Sequence, residues 1–239
     1  MKTALITGGA ARIGAQIVKT LHHHKFNIII HFNYSQDKAQ LLCDELNAIR
    51  ANSVEIVSAD LNNMEQLNSL VNSIQSLDLL VNNASVFYPK TVESSSMKDW
   101  DDVLNINLRA PFFLSKGLSK LLSNNDGSII NIIDIHAERP LKKHAIYNIS
   151  KAGLKMLTQT LAKELAPKIR VNGVSPGSIL WPQDSAEISQ DDKNLMLDKI
   201  ALQRQGSPQD IADTVLFLAN SNYITGQVIN IDGGRTLNQ

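Results

Sequence analysis

The feature that most constrains the fold is a regular alternation of short apolar runs with segments of helical length. The short runs are rich in β-branched residues and continuously apolar, which is typical of strands covered on both faces of a sheet. Alternation of this kind predicts an α/β fold, with one Rossmann-type, doubly wound parallel sheet of about seven strands and helices on both faces. We expect a single domain over residues 1–239. The candidate strands are 3–7, 27–32, 54–59, 77–83, 128–134, 169–175 and 227–232.

Charge and composition exclude several classes of partner. The chain has 23 basic and 23 acidic residues, so no field of one sign attracts nucleic acid or an anionic membrane. No apolar run reaches the roughly 18 residues of a membrane span, and the N-terminus lacks the pattern of a signal peptide. The single cysteine, Cys43, excludes a disulfide within the chain. We therefore expect a cytoplasmic protein that binds neither nucleic acid nor membrane.

The stretch "LITGGAARIGAQI" places glycines directly after the first strand and at the start of a helix. This is the context of a dinucleotide-binding turn, because backbone N–H groups at a helix N-terminus can receive a pyrophosphate. Gly8 and Gly14 would permit the close approach of backbone and ligand. A tight turn without a ligand is the alternative that the sequence leaves open.

A second group of polar residues lies in "IIDIHAERPLKKHAIYNISK". Tyr147 and Lys151 are four residues apart and share one face of the predicted helix 147–166. An ammonium near a phenol should lower the pKa of the tyrosine, and such a phenol can donate a proton as a hydride arrives. Asp134 precedes the tyrosine by thirteen residues. It could relay a proton beside Tyr147, or it could cap the turn that follows its strand.

These motifs occur in an order that resembles the short-chain dehydrogenases/reductases. "TGGAARIG" is similar to the TGxxxGxG turn of that family and is followed by "NNA" (82–84), "NINL", Tyr147-x-x-x-Lys151 and "PG" (176–177). Two departures narrow the resemblance, since Arg12 replaces a glycine and Asp134 replaces a serine. Together with "NNASVFYP" (82–89), they resemble the pteridine reductases, which reduce dihydropterins or dihydrofolates with NADPH.

The resemblance implies a role for each motif residue. Phe87 would stack on the pterin, Ser85 would hydrogen-bond it, and Arg12 would contact both pyrophosphate and substrate. The implied catalytic residues are Asp134, Tyr147, Lys151 and Asn107; the implied substrate-binding residues are Arg12, Ser85, Phe87, Asp134 and Tyr147. The implied cofactor-binding residues are Gly8, Arg12, Ile13, Gly14, His31, Asn33, Tyr34, Ser35, Asp60, Leu61, Asn83, Ala84, Tyr147, Lys151, Pro176 and Gly177.

The end of the second strand bears on cofactor choice. An acid there binds the ribose 2′-hydroxyl of NAD and repels a 2′-phosphate, whereas this chain has "HFNYS" (31–35), which favours NADPH. The resemblance further implies a homotetramer or dimer, and the polar segment 180–208 is expected to be a substrate lid. We expect no metal site, because the adjacent histidines 22–24 point in different directions.

Two other functions are compatible with the same motifs. One is a generic carbonyl or 3-oxoacyl thioester reductase, against which Asp134 and Phe87 argue. The other is a non-catalytic protein that senses NADPH, although such a protein would not need Tyr147, Lys151 and Asn107.

Overall fold

A computed structural model describes residues 1–181 and 189–238. It contains one seven-stranded parallel sheet in the order β3-β2-β1-β4-β5-β6-β7, which confirms the predicted fold class. The strands are β1 (Thr3–Ile6), β2 (Asn27–Phe32), β3 (Val54–Ser58), β4 (Leu79–Asn82), β5 (Ser128–Ile132), β6 (Arg170–Pro176) and β7 (Val228–Ile231). The helices are α1 (Arg12–His23), α2 (Gln36–Ile49), α3 (Met64–Ser73), α4 (Met97–Leu104), α5 (Ala110–Asn124), α6 (Ala145–Glu164), α7 (Gln190–Leu197) and α8 (Pro208–Asn220).

The apolar strands feed two hydrophobic cores, one on each face of the sheet. Successive side chains of a strand point to opposite faces, so Ala4 and Ile6 enter one core while Leu5 enters the other. The first core contains buried residues of α1, α2 and α8, and the second contains those of α3 and α5. Because both faces of the sheet are covered, most strands are apolar on successive residues rather than on alternate ones.

The fifth strand ends two residues earlier than the sequence predicts. β5 stops at Ile132, and Asp134 begins a 3₁₀ turn (Ile135–Ala137) in which its carboxylate accepts a hydrogen bond from the His136 N–H. An aspartate side chain offers the backbone this alternative to a sheet ladder, which is why the strand stops. The helix predicted over 147–166 is α6, which begins at Ala145, so Tyr147 lies in its first turn.

The strand order places a crevice beside β1. The chain winds outwards from β1 through β2 to β3, and then resumes on the other side with β4. Ligands of open α/β sheets bind at such a reversal, beyond the carboxyl ends of the strands. The glycine turn follows β1 and therefore lies at this reversal.

The segment 180–208 is described only in part. Its residues 190–197 form α7, which has no buried residue, while residues 182–188 lie outside the described residues. Its role as a substrate lid stays a prediction. Across residues 1–181 and 189–238, no helix combines the length and apolar content that crossing a bilayer requires.

The glycine turn and α1 touch so closely at Gly14 that a side chain there should distort both. A methyl group added to Gly14 would lie 2.2 Å from the carbonyl oxygen of Gly8 and 2.7 Å from Nδ2 of Asn83. We expect Gly14→Ala to lower the free energy of unfolding by about 3 kcal/mol, at the upper end of overpacking costs, because backbone must move.

Urea denaturation measures this change, with Gly117→Ala as the matched control. The nearest neighbours of the added methyl in Gly117→Ala would be side-chain atoms of Val71, at 2.8 Å or more, so a shift of one side chain rather than of backbone relieves the contact. Equal losses of stability in the two variants would contradict the expectation.

Candidate active site

The turn after β1 is held by residues of both neighbouring strands. Gly8 has a left-handed backbone (φ 61°), its N–H donates to Nδ1 of His31 (3.2 Å), and its carbonyl accepts from Nδ2 of Asn83 (3.1 Å). The hydroxyl of Thr7 accepts from the N–H groups of Asn83 and Ala84, at 2.9 and 3.0 Å. The turn is thus fixed to β2 on one side and to the segment after β4 on the other.

A cleft of about 730 Å³ opens in front of this turn. The first residues of α1 line it, and the N-cap of that helix, Ala11, makes no side-chain hydrogen bond to the helix N–H groups. These donors suit a pyrophosphate, and a glycine at position 8 lets the backbone approach it closely. The predicted residues that line the cleft are Gly8, Arg12, Ile13, Gly14, His31, Asn33, Tyr34, Ser35, Asp60, Leu61, Asn83, Ala84 and Ser85. The residues present therefore fit a dinucleotide.

Arg12 stands where the TGxxxGxG pattern has a glycine, and its backbone has the left-handed conformation that favours glycine. Its φ is 53°, a left-handed conformation that costs a residue with a side chain roughly 1–2 kcal/mol. The side chain is exposed and lines the cleft beside the turn. Its predicted contact with both pyrophosphate and substrate stays a prediction.

His31 lies in the wall of the cleft but uses both ring nitrogens within the protein. Nδ1 accepts from Gly8, and Nε2 lies 2.9 Å from the carbonyl oxygen of Ala59. Burial lowers the pKa of His31 to about 4, only partly opposed by the bond to Ala59. The imidazole is therefore neutral at physiological pH, and its direct contact with a cofactor stays a prediction.

The second half of the site joins Asp134 to Tyr147. The tyrosine hydroxyl donates to Oδ2 of Asp134 at 2.7 Å, while Oδ1 of the same carboxylate caps the turn at His136 at 2.8 Å. The two roles that the sequence leaves open for Asp134, partner of Tyr147 and cap of its turn, are thus both present. Each is carried by a different oxygen.

Burial decides the protonation of this cluster. Tyr147 is 6% exposed, and burial together with the charge of Asp134 raises its pKa well above the ordinary value of 10.0. Burial lowers the pKa of Lys151 to about 8, with Asp134 acting in the opposite direction. The prediction that Lys151 lowers the pKa of the tyrosine is therefore wrong for the protein alone, because desolvation and the carboxylate prevail. Tyr147 is a neutral phenol that can donate a proton.

Lys151 is held by the end of β5. Its Nζ donates to the carbonyl oxygen of Ile132 at 3.0 Å and lies 5.6 Å from the centre of the Tyr147 ring. Asn107 lies in a π-helical turn (Asn105–Arg109) between α4 and α5, which interrupts the regular α-helical hydrogen bonding there. Its side chain bonds both backbone groups of Val86 and donates to the Ser150 hydroxyl.

Phe87 is brought onto the ring of Tyr147 by two paired loops. The residue is 52% exposed, and its ring packs edge-to-face with Tyr147 (4.7 Å, 79°) and stacks on His144 (4.5 Å, 14°). The Lys90 N–H donates to the carbonyl oxygen of Lys143, which pairs the loop after β4 with the loop before α6. Phe87 and His144 therefore form an aromatic wall beside the ring of Tyr147.

Pro176 and Gly177 lie at the carboxyl end of β6. Pro176 ends β6, and the Gly177 N–H donates to the carbonyl oxygen of Ile231 at 2.9 Å. Neither lines the cleft in front of the glycine turn, and neither do Phe87, Asp134, Tyr147 and Lys151. The site thus has two parts, joined where Ser85 and Val86 lead from the cleft to Phe87.

Two residues of the site are missed by sequence reasoning. Thr7 precedes the first glycine of the turn, and its place in "TGG" is a signal that could have found it. His144 lies three residues before Tyr147, a helical spacing, but its stacking on Phe87 depends on a separate loop. The histidines 22–24 diverge: His22 bonds Ser53, whereas His23 and His24 bond carbonyl oxygens of their own helix.

Comparison with known proteins identifies relatives over almost the whole chain. A family model described as enoyl-(acyl carrier protein) reductase matches residues 8–236. The chain is 36% identical to a 3-oxoacyl-[acyl-carrier-protein] reductase FabG of Staphylococcus epidermidis over 98% of each chain. It is 33% identical to pteridine reductase 1 of Leishmania tarentolae, covering 98% of this chain and 96% of that one. It is 30% identical to glucose 1-dehydrogenase 2 of Bacillus subtilis over 99% and 95%.

The neutral state of His31 should make stability depend on pH. Above pH 6.5 the ring is neutral in both folded and unfolded chains; below it, the unfolded chain takes up a proton that the folded chain refuses down to about pH 4. Stability should therefore fall as pH drops through this window, by up to about 3 kcal/mol, and level off below it.

Chemical denaturation at several pH values between 7 and 4 measures this loss, with His31→Gln as the comparison, because glutamine does not titrate. The difference in unfolding free energy between wild type and His31→Gln should change by the stated amount across the window. A constant difference would contradict the assignment.

Proposed function

The chain belongs to the short-chain dehydrogenase/reductase family, and we propose that it is an NADPH-dependent pteridine reductase. The observation that carries the proposal is the hydrogen bond of 2.7 Å from the Tyr147 hydroxyl to the Asp134 carboxylate. A reductase of ketones needs one proton at one oxygen, for which a hydroxyl beside the tyrosine suffices. A carboxylate in that place supports a substrate whose ring nitrogen must gain a proton.

The reaction consists of a hydride and a proton added across a carbon–nitrogen double bond. When bound, the dihydronicotinamide supplies the hydride and is oxidised. The hydrogen-bonded pair of Tyr147 and Asp134 holds one proton, on the phenol oxygen, and delivers it to the ring nitrogen that takes up the electrons of the double bond. The ammonium of Lys151, 5.6 Å from the centre of the phenol ring, stabilises the negative charge left on the pair.

The aromatic wall of Phe87 and His144 is evidence for a planar substrate. One face of Phe87 rests against His144, while about half of the residue is exposed beside Tyr147. A planar heteroaromatic ring can stack on such a surface, which a linear acyl chain does not require. The resemblance of "NNASVFYP" to pteridine reductases and the 33% identity to pteridine reductase 1 support the same substrate class.

The residues that follow β2 favour NADPH rather than NADH as the cofactor. Asn33, Tyr34 and Ser35 line the cleft there, and the first acid after the strand is Asp37, in α2. A carboxylate that would repel a 2′-phosphate is thus missing from those three positions. Arg12 contributes positive charge to the cleft wall, whereas Lys98 in the same wall is paired with Asp102. A cytoplasmic location and a homotetramer or dimer complete the proposal.

The rival on the same scaffold is a 3-oxoacyl thioester reductase. Curated relatives with this activity in their name reach 36% identity in Staphylococcus epidermidis and 35% in Staphylococcus aureus. Asp134 and the exposed Phe87 favour the pterin. A protein that only senses NADPH would gain nothing from the buried Tyr147 and Lys151.

Replacing the Asp134 carboxylate by a hydroxyl, as in the family pattern, should distinguish a pteridine reductase from a 3-oxoacyl thioester reductase. We expect Asp134→Ser to lower kcat/KM for a dihydropterin by about 100-fold, because proton delivery of this kind typically contributes 10²–10⁴-fold. NADPH consumption with dihydromonapterin, dihydrobiopterin and dihydrofolate is the measurement.

Tyr147→Phe is the matched control and should abolish reduction of every substrate. Equilibrium binding of NADPH to each variant shows that the cleft is intact. Wild-type turnover of acetoacetyl thioesters without turnover of any dihydropterin would establish the rival function and end the proposal.

Alkaline pH should deprotonate Lys151 before Tyr147. The pKa of Lys151 is lowered to about 8, whereas that of Tyr147 is raised well above 10.0. We expect kcat/KM for NADPH, which reports the free enzyme, to fall about tenfold per pH unit above about pH 8 as the ammonium is lost. Initial rates between pH 6.5 and 10 test this, and a flat profile up to pH 9.5 would show that the charge of Lys151 is not required.

A further inference from the structure

His31 bridges the two walls of the cleft. On one side its Nδ1 receives the Gly8 N–H of the glycine turn at 3.2 Å; on the other its Nε2 meets the carbonyl oxygen of Ala59, directly after β3, at 2.9 Å. Its own carbonyl oxygen accepts from the Gly9 N–H at 3.0 Å. The residue is 2% exposed, and Gly8, His31 and Ala59 all line the cleft.

The partners of the ring fix its chemical state. A backbone N–H can only donate, so Nδ1 facing Gly8 must carry no proton; a carbonyl oxygen can only accept, so Nε2 facing Ala59 must carry one. The network therefore assigns a neutral imidazole with its proton on Nε2. Neither a second proton nor the other tautomer fits, because each would place two N–H groups or two lone pairs face to face.

The two walls that the ring joins are those between which a dinucleotide would lie. The turn from Gly8 to Gly14 provides the backbone donors for a pyrophosphate, and Asp60 and Leu61 follow Ala59 on the opposite side. A rigid ring hydrogen-bonded to both sides fixes their separation, since a hydrogen bond weakens when its length or angle changes.

We propose that His31 is a positioning residue for the adenosine half of the cofactor, acting through the turn and the end of β3 rather than by touching the dinucleotide. The inference rests on the dinucleotide site of the proposed function, but it requires nothing of the pterin chemistry. The alternative is that His31 is a core histidine that contributes only to stability.

The chain offers a matched control for that alternative. His22 is also 2% exposed and also engages a partner on a neighbouring segment, with Nε2 2.8 Å from the Ser53 hydroxyl oxygen. It lies in α1 and does not line the cleft. His22→Leu should therefore lower stability without changing the affinity for a cofactor.

The experiment compares His31→Leu, His31→Gln and His22→Leu in the full chain. Dissociation constants are measured for NADPH, by its fluorescence, and for adenosine 2′,5′-bisphosphate, by calorimetry. Loss of both bonds in His31→Leu should weaken both ligands by about tenfold or more, and KM for NADPH should rise more than kcat falls. Glutamine carries one acceptor and one donor, so His31→Gln should recover most of the affinity.

Each outcome decides the inference. Unchanged dissociation constants in His31→Leu, or an equal loss in His22→Leu, would reduce His31 to a structural residue. If the wild type bound neither NADPH nor the bisphosphate, both the role of His31 and the cofactor site would be overturned. If it bound them but did not turn over a pterin, only the proposed substrate would be overturned.

If His31→Leu does not fold, the ring nitrogens of the wild type give an independent answer. Nitrogen-15 NMR shifts of His31 should show the proton on Nε2 at pH 7, and their pattern should persist down to about pH 5. A proton on Nδ1 would contradict the bridge.

Discussion

The structure depends on how the peptide of Gly8 is held at the reversal of the sheet. Its N–H is bonded by a side chain of β2 and its carbonyl by a side chain from the segment after β4. Gly14 then lies so close to that carbonyl that no side chain fits between them. Because both neighbours of β1 fix the same turn, the position of α1, the floor of the cleft and the segment leading to Phe87 are set together.

The polar cluster at the end of β5 follows a different rule. Tyr147 and Lys151 are buried and Asp134 beside them is partly buried, and an isolated charge in such a place is costly unless it has a partner. The carboxylate is satisfied by a phenol and a backbone N–H, and the ammonium by a backbone carbonyl. The result is a phenol proton donated to a carboxylate, with a cation nearby.

Much of this could be predicted from local patterns. Continuously apolar strands gave the fold class, the glycines after β1 gave the cleft, and the spacing of Tyr147 and Lys151 placed them on one helix face. The protonation of that pair could not be predicted, because pKa values depend on burial and on Asp134, thirteen residues away. Nor could the end of β5, where one carboxylate oxygen turns the chain and the other meets the tyrosine.

By itself, the sequence determined the periodicities, the order of elements and the chemical groups that face one edge of the sheet, since these follow from spacing along one chain. The tertiary structure alone decided which groups meet. His31 reaches a turn 23 residues earlier and a carbonyl 28 residues later, and His144 stacks on a ring contributed by another loop. Such contacts depend on strand order and loop pairing, and hydrogen bonds and burial then fix the tautomer and the charge of each group.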